Sequence, residues 1–193
     1  ANKSNNNNIK CSYHGRTFDL NGKMKNMPGF EGVKNFPGEN DNLKEIKLID
    51  WSKFIFCSLT GDISIDDTLF DISKRLKFFP FKKINFDEKK SNTYIINTHW
   101  ALYCENYLEG FHVPFVHEGL NIEINLDSYK TKILTNGVLQ YANSRNNDLY
   151  AYYYWIFPNM MFNFYDWGLS INIIEPINKE KTRIKFLSFP IEE

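Results

Sequence analysis

The sequence predicts an α+β fold, and three observations carry the prediction. Asp66 to Phe79 places Leu69, Ile72 and Leu76 at helical spacing. A second helical stretch, with Thr98 as its N-cap, runs through Phe111 and turns Trp100, Tyr103, Cys104, Tyr107 and Leu108 to one side. From Val138 onward, alternating apolar runs succeed one another as an antiparallel meander, which one long helix would cover.

Composition sets the bounds. The 193 residues are 42% apolar and 17% aromatic, enough for a substantial core in one large or two small domains. Lys+Arg and Asp+Glu balance at 23 each, which argues against nucleic acid or an anionic membrane as partner. No apolar run approaches the length of a membrane span, and the start lacks a signal-peptide pattern. Cys11, Cys57 and Cys104 cannot all pair with one another, so a reducing, cytoplasmic setting is expected. Any special cysteine is then a metal ligand rather than half of a disulfide. The chain opens at Ala1 in an Asn-rich stretch and closes at Glu193 just after a strand pattern, the expectation being a segment of a longer protein.

Taken in order, residues 1–8 are polar and low in complexity, a loop or an end. Asn21-Gly22, after Thr17-Phe18-Asp19-Leu20, is a hairpin signature that asks for positive φ at both residues. Pro28-Gly29, Gly32 and Pro37-Gly38 keep the next stretch in loops. Ile46, Leu48 and Trp51, then Phe54-Ile55-Phe56, read as short strands that close a small β domain near residue 60. The helical stretch from Asp66 links it to a second unit. Thr93–Ile96 is a strand, the Thr98–Phe111 helix follows, and polar loops come after His117. Strands are expected at Val138–Ala142, Tyr150–Phe157, Met161–Tyr165, Leu169–Ile174 and Arg183–Phe189. Cys57 and Cys104 read as small buried hydrophobes and His99 as structural.

The chemistry concentrates between Glu105 and His117. His112 and His117 are five residues apart, about 140° of rotation on a straight helix, so they would diverge. Pro114 breaks the helix between them and lets both rings turn to one point. Glu109, three residues before His112, shares its helix face and reaches its second ring nitrogen. Two neutral imidazoles and a carboxylate with open positions form the ligand set of a non-haem Fe(II) centre. Near the start, Cys11-x-x-His14-Gly15 sets a thiolate and an imidazole on one tight loop, a spacing that suits a shared metal cluster.

These two motifs, in this order and about a hundred residues apart, resemble the large (alpha) subunit of Rieske-type non-haem iron oxygenases. Cys11 and His14 match the second ligand pair of that family's iron–sulfur domain, and Trp100 to His117 matches its mononuclear-iron motif. The resemblance implies the C-terminal part of a Rieske β domain in 1–60. It implies the N-terminal part of a helix-grip catalytic domain, with its antiparallel sheet, in 61–193. Further implied are a Rieske 2Fe–2S cluster on Cys11 and His14, a mononuclear Fe(II) on His112 and His117, and Glu109 as the acid bridging to a neighbouring subunit. Electrons would come from NAD(P)H through a ferredoxin or reductase partner to a homotrimer that hydroxylates a small organic substrate with O₂.

The upstream Cys-x-His and the third iron ligand, a later carboxylate, lie outside this sequence, so the segment alone is expected to form neither centre. Arg16 stands where many members carry Trp, and His99 where Asn is common. Glu109, where Asp is usual, resembles the branch with choline and carnitine monooxygenases. The aromatic run Tyr152 to Phe157, with Phe162, Phe164, Tyr165 and Trp167, would offer faces to a quaternary ammonium or an aromatic substrate. Two other readings stay open: a metal-free helix-grip ligand-binding protein, and a structural zinc protein using Cys11, His14, His112 and His117.

Overall fold

A computed structural model describes residues 7–59, 61, 64–144 and 149–192; most of the Asn-rich start and Glu193 lie outside them. The chain divides into two compact units, Ala1–Ile49 with Cys57–Gly61, and Asp50–Phe56 with Asp62–Glu193.

In the first unit, β1 (Asn8–Lys10), β2 (Thr17–Asp19) and β3 (Met24–Asn26) form a three-stranded antiparallel sheet around the buried Phe18 and Met24. The connection from β2 to β3 differs from the expected two-residue turn. Gly22 alone takes positive φ, +81°, and the Asp19 carboxylate accepts the N–H groups of Asn21 and Lys23 at 3.0 and 2.9 Å. An Asx-type side-chain bond thus replaces the second left-handed residue. Cys57 is exposed rather than buried.

In the second unit a seven-stranded antiparallel sheet runs in the order β6-β12-β11-β10-β9-β8-β7. Its strands are β6 (Asp87–Ile96), β7 (Lys130–Leu134), β8 (Gly137–Asn143), β9 (Leu149–Ile156), β10 (Met160–Tyr165), β11 (Gly168–Asn178) and β12 (Lys181–Pro190). All five strands expected after residue 138 are present, several of them longer. β7 lies where loops were expected, because its Lys-Thr-Lys-Ile-Leu run has one apolar pair and no clear alternation.

Strand alternation gives the sheet two apolar faces. On one, Tyr154 and Phe164, beside Phe162, meet the helix α1 (Asp66–Arg75) and the segment after it. Tyr154 donates to Asp71 at 2.9 Å, and the Phe79 and Phe164 rings are 5.1 Å apart. Asp66 and Asp67 in its first turn and Lys74 and Arg75 in its last oppose the helix dipole. The helix stops at Arg75, short of the expected Phe79. Strands β4 (Leu48–Trp51) and β5 (Phe54–Cys57) pair as a hairpin. Within the second unit Phe54 stacks edge-on to Phe162 and Phe189 at 5.8 and 5.3 Å, and Trp51 Nε1 donates to Ser73 Oγ at 2.8 Å. Phe54-Ile55-Phe56, read from sequence as the end of the first domain, packs with the second unit.

The opposite face carries Met161, Ile174 and Ile184, which enclose Cys104 of α2 (Trp100–Tyr107). This helix has eight residues and stops well short of the expected end at Phe111. His99, not Thr98, is its N-cap, accepting the Ala101 N–H through Nδ1 at 3.3 Å. Thr98 instead gives its carbonyl to the Thr182 hydroxyl at 2.9 Å. Two short helices follow, α3 (Val113–Val116) and α4 (Glu118–Glu123). Among the described residues no helix is long and apolar enough to cross a membrane.

Candidate active site

The site is built on what happens after α2 ends. Leu108 N–H returns to the carbonyls of Cys104 and Glu105, and the chain then leaves the helix. Pro114 sits in the first turn of α3. It therefore starts a helix rather than breaking one, since a first-turn proline loses no intrahelical bond. The interruption that frees the two histidines is the segment 108–112, upstream of the proline.

Glu109 organises that segment. Its Oε2 accepts the backbone N–H of Phe111 at 2.5 Å and of His112 at 3.3 Å, and its Oε1 meets His112 Nδ1. The contact expected from a shared helix face is present, made by the carboxylate folding over the start of α3. The His112 bond first, with the two N–H groups, holds the Glu109 carboxyl below its usual pKa, outweighing the desolvation that would raise it. A carboxylate on Nδ1 keeps the proton there and leaves the lone pair on Nε2. Asn106 Nδ2 lies 3.4 Å from that Nε2.

The His112 and His117 rings are 5.0 Å apart at 72° to each other. A metal bound about 2.1 Å from each nitrogen stands about 3.2 Å from each ring centre, which puts two adjacent imidazole ligands about 4.5 to 5 Å apart. The pair fits one ion. Among the described residues no three His, Cys, Asp or Glu side chains form a metal-holding group, so the pair supplies two ligands and no third.

Both histidines line a cavity of about 280 Å³, with Tyr103, Tyr107, Tyr129 and Tyr153 among its walls. Burial raises the pKa of Tyr103 and Tyr107, and burial followed by the Glu109 charge pushes Tyr129 up to about 12. All three are neutral phenols at physiological pH. Of the aromatic run read from sequence, Tyr153 reaches this cavity, whereas Tyr154, Phe162 and Phe164 are core on the other face. A larger open groove of about 620 Å³, lined by Tyr94, Trp167 and Phe186, shares Tyr103 with the cavity but neither histidine. Asn106, Tyr129 and Gln140 escaped the sequence reading. Nothing in a lone Asn, Tyr or Gln marks a site until the fold brings them together.

In the first unit, Cys11 and His14 are exposed on the connection between β1 and β2. Cys11 N–H donates to the Arg16 carbonyl at 2.8 Å and Gly15 N–H to the Cys11 carbonyl at 3.0 Å. Gly15 has φ of +71°, and a Cβ there would stand 3.1 Å from the Pro28 ring, so the tight loop needs glycine. The backbone N–H groups of Tyr13 and then His14 hold the Cys11 thiol below its ordinary pKa. That favours the thiolate, the form that binds metal. The loop fits half of a cluster site.

The profile of the Rieske [2Fe-2S] domain matches residues 1–37. The chloroplastic choline monooxygenase of Arabidopsis thaliana is 25% identical over 91% of this chain and 46% of its own length. The carnitine monooxygenase oxygenase subunit of Acinetobacter pittii is 26% identical over 80% of this chain and 45% of its own length. The chain thus spans about half the length of the curated relatives it matches. The quaternary ammonium Rieske monooxygenase CntA, solved with L-carnitine, shares the fold over 97% of this chain and 53% of its own, at a TM-score of 0.73 and 22% identity. In fold along its length, and in sequence along most of it, the chain is similar to Rieske-type oxygenase alpha subunits, the choline and carnitine monooxygenases among them.

Proposed function

We propose that this chain is the portion of an oxygenase alpha subunit in which His112 and His117 hold a mononuclear Fe(II), and Cys11 and His14 hold part of a Rieske 2Fe–2S cluster. The observation that carries the reading is the edge-to-face histidine pair with Glu109 on the outer nitrogen of His112. When bound, the iron supplies oxygen-activating chemistry and the cluster supplies electrons, drawn from NAD(P)H through a ferredoxin or reductase. The residues of this chain do the rest. Glu109 fixes the tautomer and angle of His112, and Asn106 lies at the nitrogen that faces the metal position.

The substrate we infer is a small quaternary ammonium compound. Four tyrosine faces line the cavity, and no lysine or arginine is among the described residues lining it. Cation–π attraction to such faces contributes about 0.5–2 kcal/mol per ring. The relatives' names point to the same class. A homotrimer follows from the family likeness. It is supported by Phe111 and Phe115, each 87% exposed beside Glu109, apolar surface that a subunit contact would cover.

Metal and substrate are tested separately in the full-length protein. His112→Ala and His117→Ala should each abolish stoichiometric iron at the mononuclear site, measured by metal analysis, while His99→Ala retains it. Oxygen uptake should respond to choline or carnitine. Uptake with benzoate-type rings and none with quaternary ammoniums would sink the substrate assignment and leave the iron site standing.

A further inference from the structure

The end of α2 leaves a carbonyl to account for. In a continuing helix the Tyr107 carbonyl would accept the N–H of Phe111, four residues on. That N–H goes to Glu109 instead. Gln140, on β8 and 1% exposed, takes its place: Nε2 donates to the Tyr107 carbonyl at 2.7 Å. Since a carbonyl can only accept, this contact fixes which end of the amide faces Tyr107. The other end, Oε1, accepts the Tyr129 hydroxyl at 2.6 Å. The Tyr129 ring lies over Gly110, where a Cβ would stand 3.0–3.2 Å from ring atoms. At its far end Tyr107 donates its hydroxyl to Asn163 Oδ1 at 2.7 Å. Tyr107 is therefore held to the sheet at both ends, two residues before Glu109.

We propose that Gln140, buttressed by Tyr129, is a positioning residue that sets where Glu109 and His112 stand and thereby the metal affinity of the His112–His117 pair. The inference rests on the iron reading given under Proposed function. An amide is the group the position requires, because it must donate to one neighbour and accept from the other. A carboxylate would only accept, and would face the Tyr107 carbonyl with nothing to give. A protonated carboxyl could again do both. The groups facing position 140 are the phenols of Tyr107, Tyr129 and Tyr153, strand partner Thr131, and across the cavity Glu109, His112 and His117. No lysine or arginine among the described residues lining the cavity stabilises an added negative charge there.

The experiment compares wild type, Gln140→Leu and Gln140→Glu in the full-length protein, from about pH 5.5 to about pH 8, a range spanning a carboxyl raised by burial. Co(II) affinity is taken as a ratio to wild type at the same pH, which cancels the protonation of the histidines themselves. Hydrogen exchange of the Phe111 and His112 amides gives a readout that needs no metal. Gln140→Leu should bind Co(II) about 10–100-fold more weakly at every pH, the usual effect of losing a partner behind a ligand. Its two amides should exchange faster. Gln140→Glu should match Gln140→Leu at the alkaline end and recover toward wild type on acidification.

A folded Gln140→Leu with wild-type affinity and wild-type exchange overturns the proposal. So does a Gln140→Glu as weak as Gln140→Leu at every pH, which would mean packing alone. If Gln140→Leu does not fold, Gln140→Glu decides, a rising ratio on acidification supporting and a flat one refuting. A wild type that binds Co(II) no better than His112→Ala refutes the iron reading. The exchange rates then still decide whether Gln140 positions the segment.

Discussion

Glu109 does three things with one carboxylate: it takes two backbone N–H groups at the start of α3 and the Nδ1 of His112. These acceptor roles call for an ionised carboxylate, and its lowered pKa agrees. Replacing it by alanine frees the Phe111 and His112 N–H groups and lets the ring turn. Glu109→Ala in the full-length protein should therefore weaken iron binding about 10–100-fold, the range for partners that orient a metal-ligating histidine. Iron content after dialysis against a weak chelator measures it. Glu105, one turn earlier, is exposed and does not share this work.

At the scale of an element, α1 is tied to the sheet by Asp71. Its Oδ2 accepts Arg75 Nε at 2.8 Å and the Tyr154 hydroxyl at 2.9 Å, and its Oδ1 accepts Lys132 Nζ at 2.8 Å. Burial taken alone would raise the Asp71 pKa, and the Lys132, Arg75 and Tyr154 donors outweigh it and hold the carboxyl below its usual value. A folded-state pKa below the unfolded one stabilises the fold at pH values above the unfolded pKa, about 3.9. That stabilisation fades as the pH falls through the folded value. Asp71→Asn should cost about 1.5–3 kcal/mol at neutral pH, the range for hydrogen bonds to a charged group. Lys132 is half exposed and adds little of it. Denaturant unfolding at neutral pH and below about pH 4 checks the sign, since the difference between variant and wild type should shrink in acid. A penalty independent of pH would assign the effect to packing.

For the whole molecule, ligand counting governs what this chain can do alone. A Rieske cluster needs two cysteines and two histidines, and the first unit offers Cys11 and His14 at the expected spacing. On the reading proposed above, the second unit would offer two histidines to a metal that takes more. The 193-residue chain on its own should lack the visible absorption of a stoichiometric iron–sulfur cluster, while the full-length protein shows it. A cluster in the isolated chain would contradict the ligand assignment.

How much of this was legible beforehand varied with the physics of each part. Strand-length runs of aromatic and β-branched residues announce strands even where both faces are covered, so β8 to β12 fell within a few residues of expectation. Helix ends did not, because they depend on bonds the sequence does not show. His99 rather than Thr98 caps α2, and the helix stops at Tyr107 because Glu109 and Gln140 take over the backbone groups a further turn would have used. Pro114 was recognised as punctuation with its sense reversed.

The sequence by itself determined the α+β class, the Cys11–His14 and His112–His117 pairs and the acid beside the latter, since residue type and spacing along a chain are local properties. Only the tertiary structure decided that the two imidazoles stand 5.0 Å apart on one cavity and that tyrosines from α2, β9 and the segment before β7 wall it. It alone placed Gln140, 33 residues beyond Tyr107, on that residue's carbonyl. Such contacts arise from strand register and from which groups burial leaves needing a partner, and neither is written at any single position.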